Sequence, residues 1–461
     1  MTSRSVFRGP AIAFTCTIAI VFSSSLNLHA QSNRRQVMAP TAAAADVLSR
    51  VVKVKGLHFL TNSAAQAPGD LQCRVTYGDP CYSPQEMRNA YGVDSVLKAG
   101  YGGAGQTIII VDSFGSPTIA DDLKAFDEGY GLPDPPSFKV ISPLGTVPFD
   151  PTNSDQVGWA VETTLDVEWA HALAPAANIV LLTSPVSETQ GVQGMPEFLA
   201  LETYALDHNL GKIISQSWGT TENTLFTPDG QKVFHDFEQL YARAAREHVT
   251  VLASSGDEGS SGFEADTTTL YPFPVVGYPA SSPQVTAVGG TTLYADTFGN
   301  YQYEIVWNEF GFAAGGGGVS QQFAEPFYQL AGIPKSAQPL LGNHRAIPDI
   351  AYNADAEYGV LVYLSFLGPD AAGYYEIGGT SAGSPQWAGI VADANQLAGH
   401  PLGFLNPRLY SLGQSRFFND IVSGANGFFP TPGYVATRGW DLTTGWGTPN
   451  DGLIWALANS H

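Results

Sequence analysis

The sequence has few charged residues, and few of these are basic. Only 14% of its 461 residues are charged, and 21 Lys and Arg stand against 42 Asp and Glu, which gives a net charge of −21. This excess of negative charge argues against nucleic acid and anionic membranes as partners. Because 44% of the residues are hydrophobic, the chain can still bury a large core, and we expect a globular protein.

Long hydrophobic runs are also lacking beyond the N-terminus. Residues 1–30 carry two arginines, then an apolar segment, then Leu-His-Ala, which is the pattern of a secretory signal peptide. The apolar segment is too short to favour a membrane-spanning helix, although an uncleaved membrane anchor is the alternative interpretation. We therefore expect a secreted protein, extracellular or periplasmic, that has no membrane partner.

Cysteine is scarce, with three residues, and one of them lies in the predicted signal peptide. The other two, Cys73 and Cys81, are separated by a Gly-Asp-Pro turn. In an exported chain, such a pair predicts one small disulfide loop. Two cysteines without neighbouring histidines make a poor zinc site.

Two further segments follow the predicted signal peptide. Residues 31–81 lack sustained periodicity and predict a short leader or pro-segment, and residues 82–461 predict one folded domain. In this domain, apolar β-branched runs alternate with helical stretches, which indicates a mostly parallel central sheet flanked by helices on both faces, an α/β fold. The runs are 106–114, 177–184, 212–219, 249–257 and 284–290, and the main helical stretches are 159–173, 196–208 and 232–247.

Ser381 lies in Glu-Ile-Gly-Gly-Thr-Ser-Ala-Gly-Ser-Pro-Gln-Trp, with small residues on both sides. Pro385 suits the first turn of a helix, so Ser381 is predicted at or just before a helix N-terminus. There the free N–H groups favour a developing negative charge. Ser381 is therefore a candidate nucleophile, and an ordinary helix cap is the alternative.

A serine nucleophile needs a base, and the sequence has no His-Gly-x-His motif. His171, the nearest candidate, lies in an Ala-rich helical stretch and is expected to be a packing residue. Glu162 and Asp166 are instead four residues apart, on one face of the same predicted helix. A glutamate oriented by an aspartate can accept a serine proton at acid pH, where histidine is already protonated. Two solvated acids on a helix face are the alternative interpretation.

Several motifs resemble the sedolisin family, the serine-carboxyl peptidases, over essentially all of 82–461. They are Glu-x-x-x-Asp before a helix that ends in Ala-Pro, "SQSWG" at 215–219, "ASSGDEGS" at 253–260, "GGGGVSQQFAEPFYQ", "RAIPDIAYNADAEYGVLVY" and "GGTSAGSP". The resemblance implies a subtilisin-like fold, with Ser381 as nucleophile, Glu162 as general base and then acid, and Asp166 as its orienting partner. It also implies that Asp257 is a protonated oxyanion donor, and hence acid activity on protein or peptide substrates.

In family members a glutamate near the first strand and the tryptophan of the Ser-Trp-Gly motif extend this network. The corresponding positions here are Asp112, which has a shorter side chain, and Trp218. Family members usually also carry a long pro-domain, whereas only about 50 residues separate Ala30 from the expected catalytic domain.

The C-terminal segments "NDIVSGANG" and "ATRGWDLTTGWGTP" resemble the family's calcium site. The resemblance implies one structural Ca²⁺ bound by two carboxylates and three backbone carbonyls, an oxygen-only set that suits this ion. The expected ligands are Asp420, Ile421, Thr437, Gly439 and Asp441. Turn-forming Asp-Gly segments without an ion are the alternative.

The sequence therefore predicts a monomeric, secreted, acid-active serine-type peptidase. An inactive peptidase-like binding protein and a subtilisin-like neutral peptidase that uses His171 are the competing hypotheses. Cleavage within chains and removal of N-terminal tripeptides both remain open.

Overall fold

The chain folds around a central sheet whose strands include the apolar runs predicted from the sequence. The computed structural model describes residues 58–61 and 67–460. The strands are β1 (His58–Thr61), β2 (Thr107–Ser113), β3 (Phe138–Ile141), β4 (Asn178–Ser184), β5 (Ile213–Gln216), β6 (Thr220–Thr221), β7 (Thr250–Ser254), β8 (Gly277–Tyr278), β9 (Thr286–Ala295), β10 (Tyr301–Val306), β11 (Gly318–Ala324), β12 (His344–Ile347), β13 (Ile350–Asn353), β14 (Val360–Leu364), β15 (Gly373–Ile377), β16 (Phe418–Asn419) and β17 (Thr448–Pro449).

The helices alternate with these strands over most of the chain. They are α1 (Asp70–Thr76), α2 (Pro84–Ala90), α3 (Val93–Lys98), α4 (Ile119–Tyr130), α5 (Ser154–Leu173), α6 (Met195–Asp207), α7 (Pro228–Arg246), α8 (Phe327–Gly332), α9 (Gln338–Leu341), α10 (Gly383–Ala398), α11 (Asn406–Leu412) and α12 (Leu453–Asn459).

The central sheet has eight strands, and the predicted parallel arrangement is confirmed. Its order is β10-β9-β7-β5-β2-β4-β3, with β13 also paired to β9. All of these pairings are parallel except that of β10 with β9. Parallel strands need long connections, because the chain must return to the same end of the sheet before the next strand begins. The helices between the strands provide these connections.

Helices cover both faces of the sheet, as the sequence predicts. Ile108 and Ile110 of β2 belong to one buried cluster with residues of α5 and α10. Ile109 and Val111 alternate to the other face and belong to a cluster with residues of α6 and α7. Since successive strand side chains point to opposite faces, one continuous apolar run can serve both cores.

A second, three-stranded sheet of order β1-β15-β14 includes the earliest described residues. The predicted disulfide between Cys73 and Cys81 is present, with a Cα–Cα distance of 5.8 Å, and it packs with Leu60 and Leu361. Residues 58–61 and 67–81 therefore pack against strands of the predicted domain. The contacts continue across residue 82, the predicted start of that domain. The predicted signal peptide lies outside the described residues.

The sheet brings the ends of several strands to one edge. Asp112 lies near the end of β2, Ser217 directly follows β5, and Asp257 lies three residues beyond β7. In open α/β sheets this edge carries the binding sites. Over the described part of the chain, no helix is both long and apolar enough to cross a membrane.

Candidate active site

Ser381 lies in a tight connection between a strand and a helix, as predicted. A 3-10 turn, Thr380–Ala382, follows β15 and leads directly into α10. Gly379 has a φ of 115°, and a Cβ at this position would come within 3.0 Å of Asp257 Oδ2. The glycine therefore permits both the turn and the close approach of the Asp257 carboxyl.

Helix α5 presents Glu162 and Asp166 on one face. It begins earlier than the predicted residue 159, because the Asn153 side chain accepts hydrogen bonds from the backbone N–H groups of residues 155 and 156. Glu162 is partly exposed, and Asp166 is fully buried.

The carboxyl of Glu162 is next to the candidate nucleophile. Burial raises the pKa of Glu162 above its ordinary value, and a hydrogen bond with the Ser381 side chain opposes this rise. The negative charges of Asp112 and Asp257 raise the pKa further. Oε1 of Glu162 is buried and has no hydrogen-bond partner within the described residues. The group is thus placed to exchange a proton with Ser381.

Asp166 is held by a residue that the sequence analysis did not single out, Ser217. The Ser217 hydroxyl donates to Asp166 Oδ1 at 2.8 Å, and it also lies 3.3 Å from the backbone carbonyl oxygen of Ser381. Burial raises the pKa of Asp166 well above its ordinary value, and the charges of Asp112 and Glu162 add to the rise. The serine of "SWG" was the available signal, since it directly follows a strand at the same edge of the sheet.

Asp112 belongs to the same group of carboxyls. It is fully buried, burial raises its pKa, and the Thr163 hydroxyl opposes the rise. Trp218 packs its ring against Phe198 at a centroid distance of 4.4 Å, and its indole N–H has no hydrogen-bond partner among the described residues. The structure therefore brings Asp112 into electrostatic contact with Glu162 and Asp166, while Trp218 contributes packing.

Asp257 approaches from the loop after β7 and contacts the Ser381 turn. Its Oδ1 accepts hydrogen bonds from the Thr380 backbone N–H at 2.9 Å and from the Thr380 hydroxyl at 2.8 Å. The same hydroxyl accepts from the Gly256 backbone N–H at 3.1 Å. Thr380, which sequence reasoning also missed, thus fixes the position of Asp257 relative to Ser381.

The Ser381 turn opens onto one cleft of about 570 Å³, which is large enough for several residues of a peptide. Its lining includes Ser381, Glu162 and Asp257 as well as Trp159 and Trp218. None of the residues that the structure places in this lining is Lys, Arg or His.

His171 is outside this arrangement. It is buried, its Nε2 lies 2.8 Å from the Pro133 carbonyl oxygen and 3.2 Å from Asp127 Oδ1, and it does not line the cleft. On α5 it is nine residues beyond Glu162, roughly 13 Å along the helix axis. Its expected role as a packing residue agrees with this position.

The expected calcium ligands lie on two neighbouring loops. The Gly439 N–H lies 3.0 Å from each carboxylate oxygen of Asp420, and Asp441 Oδ2 accepts from the Thr437 N–H at 2.8 Å. The backbone carbonyls of Ile421, Thr437 and Gly439 accept no hydrogen bond from the described residues. Two carboxylates with three unused carbonyls form a donor set that fits Ca²⁺. No group of three or more His, Cys, Asp or Glu side chains suited to a metal occurs within the described residues.

Known proteins resemble this chain over the region that carries the site. The subtilase family (Peptidase_S8) model matches residues 155–408. Kumamolisin of Bacillus sp. (strain MN-32) is 36% identical over 83% of this chain and 65% of its own length. Sedolisin of Pseudomonas sp. (strain 101) is 29% identical over 82% of this chain and 62% of its own length. Tripeptidyl-peptidase 1 of Homo sapiens is 30% identical over 63% of this chain and 50% of its own length.

The fold is similar to a solved structure of Pseudomonas sedolisin, described as a serine-carboxyl proteinase in complex with two molecules of pseudo-iodotyrostatin. The TM-score is 0.67 at 28% identity, over 82% of this chain and 97% of that chain. The chain spans less than two thirds of the length of the curated relatives named above. The subtilisin-like fold predicted from the motifs is confirmed, and the chain belongs to the subtilase family and, within it, to the sedolisin family.

Proposed function

We propose that the protein is a serine-type peptidase that hydrolyses peptide bonds in protein or peptide substrates at acid pH. The observation that carries this proposal is the convergence of the Glu162 and Asp257 carboxyls on Ser381 in one cleft. Ser381 attacks the peptide carbonyl while Glu162 takes the serine proton. Glu162 then gives that proton to the leaving amine, and water releases the acyl-enzyme by the reverse exchange.

The clustering of the Glu162 carboxyl with the buried carboxyls of Asp112 and Asp166 explains why a glutamate can be the base. Burial penalises each negative charge, and the three groups repel one another, so the cluster retains protons and titrates as a unit. Asp166, which is held by Ser217, can take up a proton from Glu162, and the remaining charge then resides on Glu162. Asp166 is thus the residue that tunes the base through its proton and its charge.

Asp257 is proposed to stabilise the oxyanion. Because its Oδ1 accepts two hydrogen bonds from Thr380, a proton on this carboxyl belongs on Oδ2, from which it can donate. One such donor stabilises the transition state by roughly 3–4 kcal/mol. An ionised Asp257 repels the developing charge instead, so activity falls as this group loses its proton.

One structural Ca²⁺ is proposed at Asp420, Ile421, Thr437, Gly439 and Asp441. These residues would hold the ion through oxygen atoms of two loops, and its charge would balance the two carboxylates. It takes no part in the proton transfers proposed above.

We also propose that the enzyme is secreted and that residues 1–30 are removed as a signal peptide. Residues 31–81 are proposed to be a pro-segment, and residues 82–461 the catalytic domain of a monomeric enzyme. The disulfide between Cys73 and Cys81 supports an oxidising compartment. Internal cleavage and tripeptide release remain alternatives.

The test is hydrolysis of a mixed peptide pool near pH 4, about where carboxyl groups titrate. Ser381→Ala and Glu162→Gln are each expected to abolish cleavage. Glu128→Gln, on the exposed face of α4, is the matched control and should leave cleavage unchanged. Cleavage that survives either site substitution would contradict the assignment, and a correctly folded wild-type protein without activity would favour the inactive binding protein.

A further inference from the structure

Three exposed phenylalanines lie on two turns beside the cleft. The side chains of Phe310, Phe312 and Phe429 are 97%, 56% and 84% exposed. Exposed aromatic groups on adjoining loops often mark a binding surface, because water contact costs them free energy that a partner can recover.

The first turn is the tip of a hairpin that is bonded to the cleft wall. Asn308 pairs with Ala314 across the base of this hairpin. The Ala314 N–H donates to the Asp257 carbonyl at 2.9 Å, and the Ala314 carbonyl accepts from the Gly259 N–H at 2.9 Å. The hairpin therefore begins where the wall carries Asp257, Glu258 and Gly259.

The second turn, at 428–431, is bonded to the next part of the same wall. The backbones of Phe428 and Thr431 exchange hydrogen bonds of 3.2 and 2.7 Å, which places Phe429 at the tip. The Ser260 hydroxyl donates to the Pro432 carbonyl at 3.2 Å, and the Thr431 hydroxyl donates to the Tyr271 carbonyl at 3.0 Å. Both turns thus border the segment that runs from Asp257 to Ser261.

Side-chain bonds join the two turns and hold their conformation. The Asn308 amide donates to the carbonyls of Ala425 at 2.8 Å and Gly427 at 3.0 Å, and Asn308 Oδ1 accepts from the Phe310 N–H at 2.8 Å. Phe310 has a φ of 46°, a conformation that is strained for a bulky residue. Strain at an exposed position is typical of functional loops, because packing gives no reason to retain it.

We propose that Phe310, Phe312 and Phe429, here called the aromatic rim, bind apolar side chains of an unfolded polypeptide whose scissile segment occupies the cleft. This inference rests on the proposed peptidase function. The occupant follows from continuity, since both turns are hydrogen-bonded to segment 257–261, most of which lines the cleft. At acid pH many proteins lose tertiary packing and expose apolar side chains, so such substrates are present where the enzyme is proposed to act.

Steady-state kinetics on a long and a short substrate test the rim. For fluorescein-labelled casein at pH 4, the triple variant Phe310→Ala/Phe312→Ala/Phe429→Ala should raise KM about tenfold, with kcat nearly unchanged. Cleavage of a hexapeptide confined to the cleft should not change. Phe298→Ala, which removes a phenylalanine that is 75% exposed on the turn between β9 and β10, is the matched control and should leave both substrates unaffected.

A KM for casein within twofold of the wild-type value would overturn the proposal, and so would an equal rise for the hexapeptide. A binding measurement keeps the test independent of catalysis. In a Ser381→Ala background, the anisotropy of labelled casein should show about tenfold weaker binding when the rim is removed, whether or not the wild-type protein cleaves. Equal binding with and without the rim would refute it.

Discussion

The two acidic regions of this protein differ in how their carboxyl groups are surrounded. At the candidate active site, the carboxyls of Asp112, Glu162 and Asp166 are close enough to repel one another, and hydroxyl groups are the donors that face them. In the C-terminal loops, Asp441 Oδ1 receives the N–H and hydroxyl groups of both Thr443 and Thr444, and Oδ2 receives a further N–H.

This difference separates acids that exchange protons from acids that hold a charge. Burial with few donors raises the pKa of a carboxyl and keeps protons available for transfer. Burial also raises the pKa of Asp441, but hydrogen bonds from Thr443, Thr437 and Thr444 oppose the rise and favour the ionised form that the proposed Ca²⁺ needs. The same type of side chain is therefore proposed to have two different uses, set by its neighbours.

The sharpest comparison is the same substitution in both regions. Asp166→Asn should lower kcat roughly 10³- to 10⁴-fold, because an amide cannot take up a proton from Glu162, and it should leave the melting temperature close to that of the wild type. Asp441→Asn should have the opposite profile, with a lower melting temperature and nearly unchanged kcat at a temperature where the variant is folded. Measured kcat and thermal unfolding for both variants check this. Equal losses of activity would mean that the two regions do not differ as described.

The pH dependence of stability should be set by buried acids that face few hydrogen-bond donors. Glu202 is buried with one oxygen unpartnered within the described residues, and burial raises its pKa to about 8. Because the folded state holds this proton more tightly than the unfolded state, the contribution of Glu202 is present below about pH 4.5 and is lost as the pH rises to about 8.

Glu202→Gln should reduce the fall in unfolding free energy between pH 5 and 8 by up to about 1.4 kcal/mol per pH unit. Hydrogen bonds from Thr269 and Thr268 lower the pKa of exposed Asp266 to about 2, so Asp266→Asn is the control and should keep the wild-type slope. Denaturant unfolding across this range measures both slopes. An unchanged slope in Glu202→Gln would show that this group does not titrate with folding.

Added Ca²⁺ should act only at the C-terminal loops, where the Asp441 carboxyl faces many hydrogen-bond donors. At a concentration of 100 times Kd, the ion adds about 2.7 kcal/mol and raises the melting temperature by a few degrees. Chelation should reverse the shift, and Asp420→Ala should remove the response without changing the pH profile of activity. A chelator without effect on the wild-type protein would refute the ligand assignment.

An effect similar in size to that of Ca²⁺ is expected outside both acidic regions, at the disulfide. Cys73→Ser/Cys81→Ser should lower the unfolding free energy by about 2–3 kcal/mol, because the closed loop is short. The double variant should respond to Ca²⁺ as the wild type does. Adding Asp166→Asn to it should lower kcat by the same factor as in the wild-type protein. A change in either would mean that the disulfide loop is coupled to an acidic region.

Much of the fold was predictable because its signals are local. The β-branched run of β2 and the similar runs of β4, β5, β7 and β9 predicted the parallel sheet. Spacing also predicted that Glu162 and Asp166 share a helix face. The early start of α5 was missed, since Asn153 caps the helix through its side chain and the apolar periodicity begins later.

The sequence by itself determined the fold class, the family and the candidate residues Ser381, Glu162, Asp166 and Asp257, because these are written in periodicity and motif spacing. Tertiary structure alone decided that Ser217 holds Asp166 and that Thr380 holds Asp257. Each of these hydrogen bonds joins residues that are distant in sequence and lie on different elements, and it forms only when the strand ends meet. The raised pKa values have the same origin, since a carboxyl group loses its water only when the surrounding helices and strands have packed.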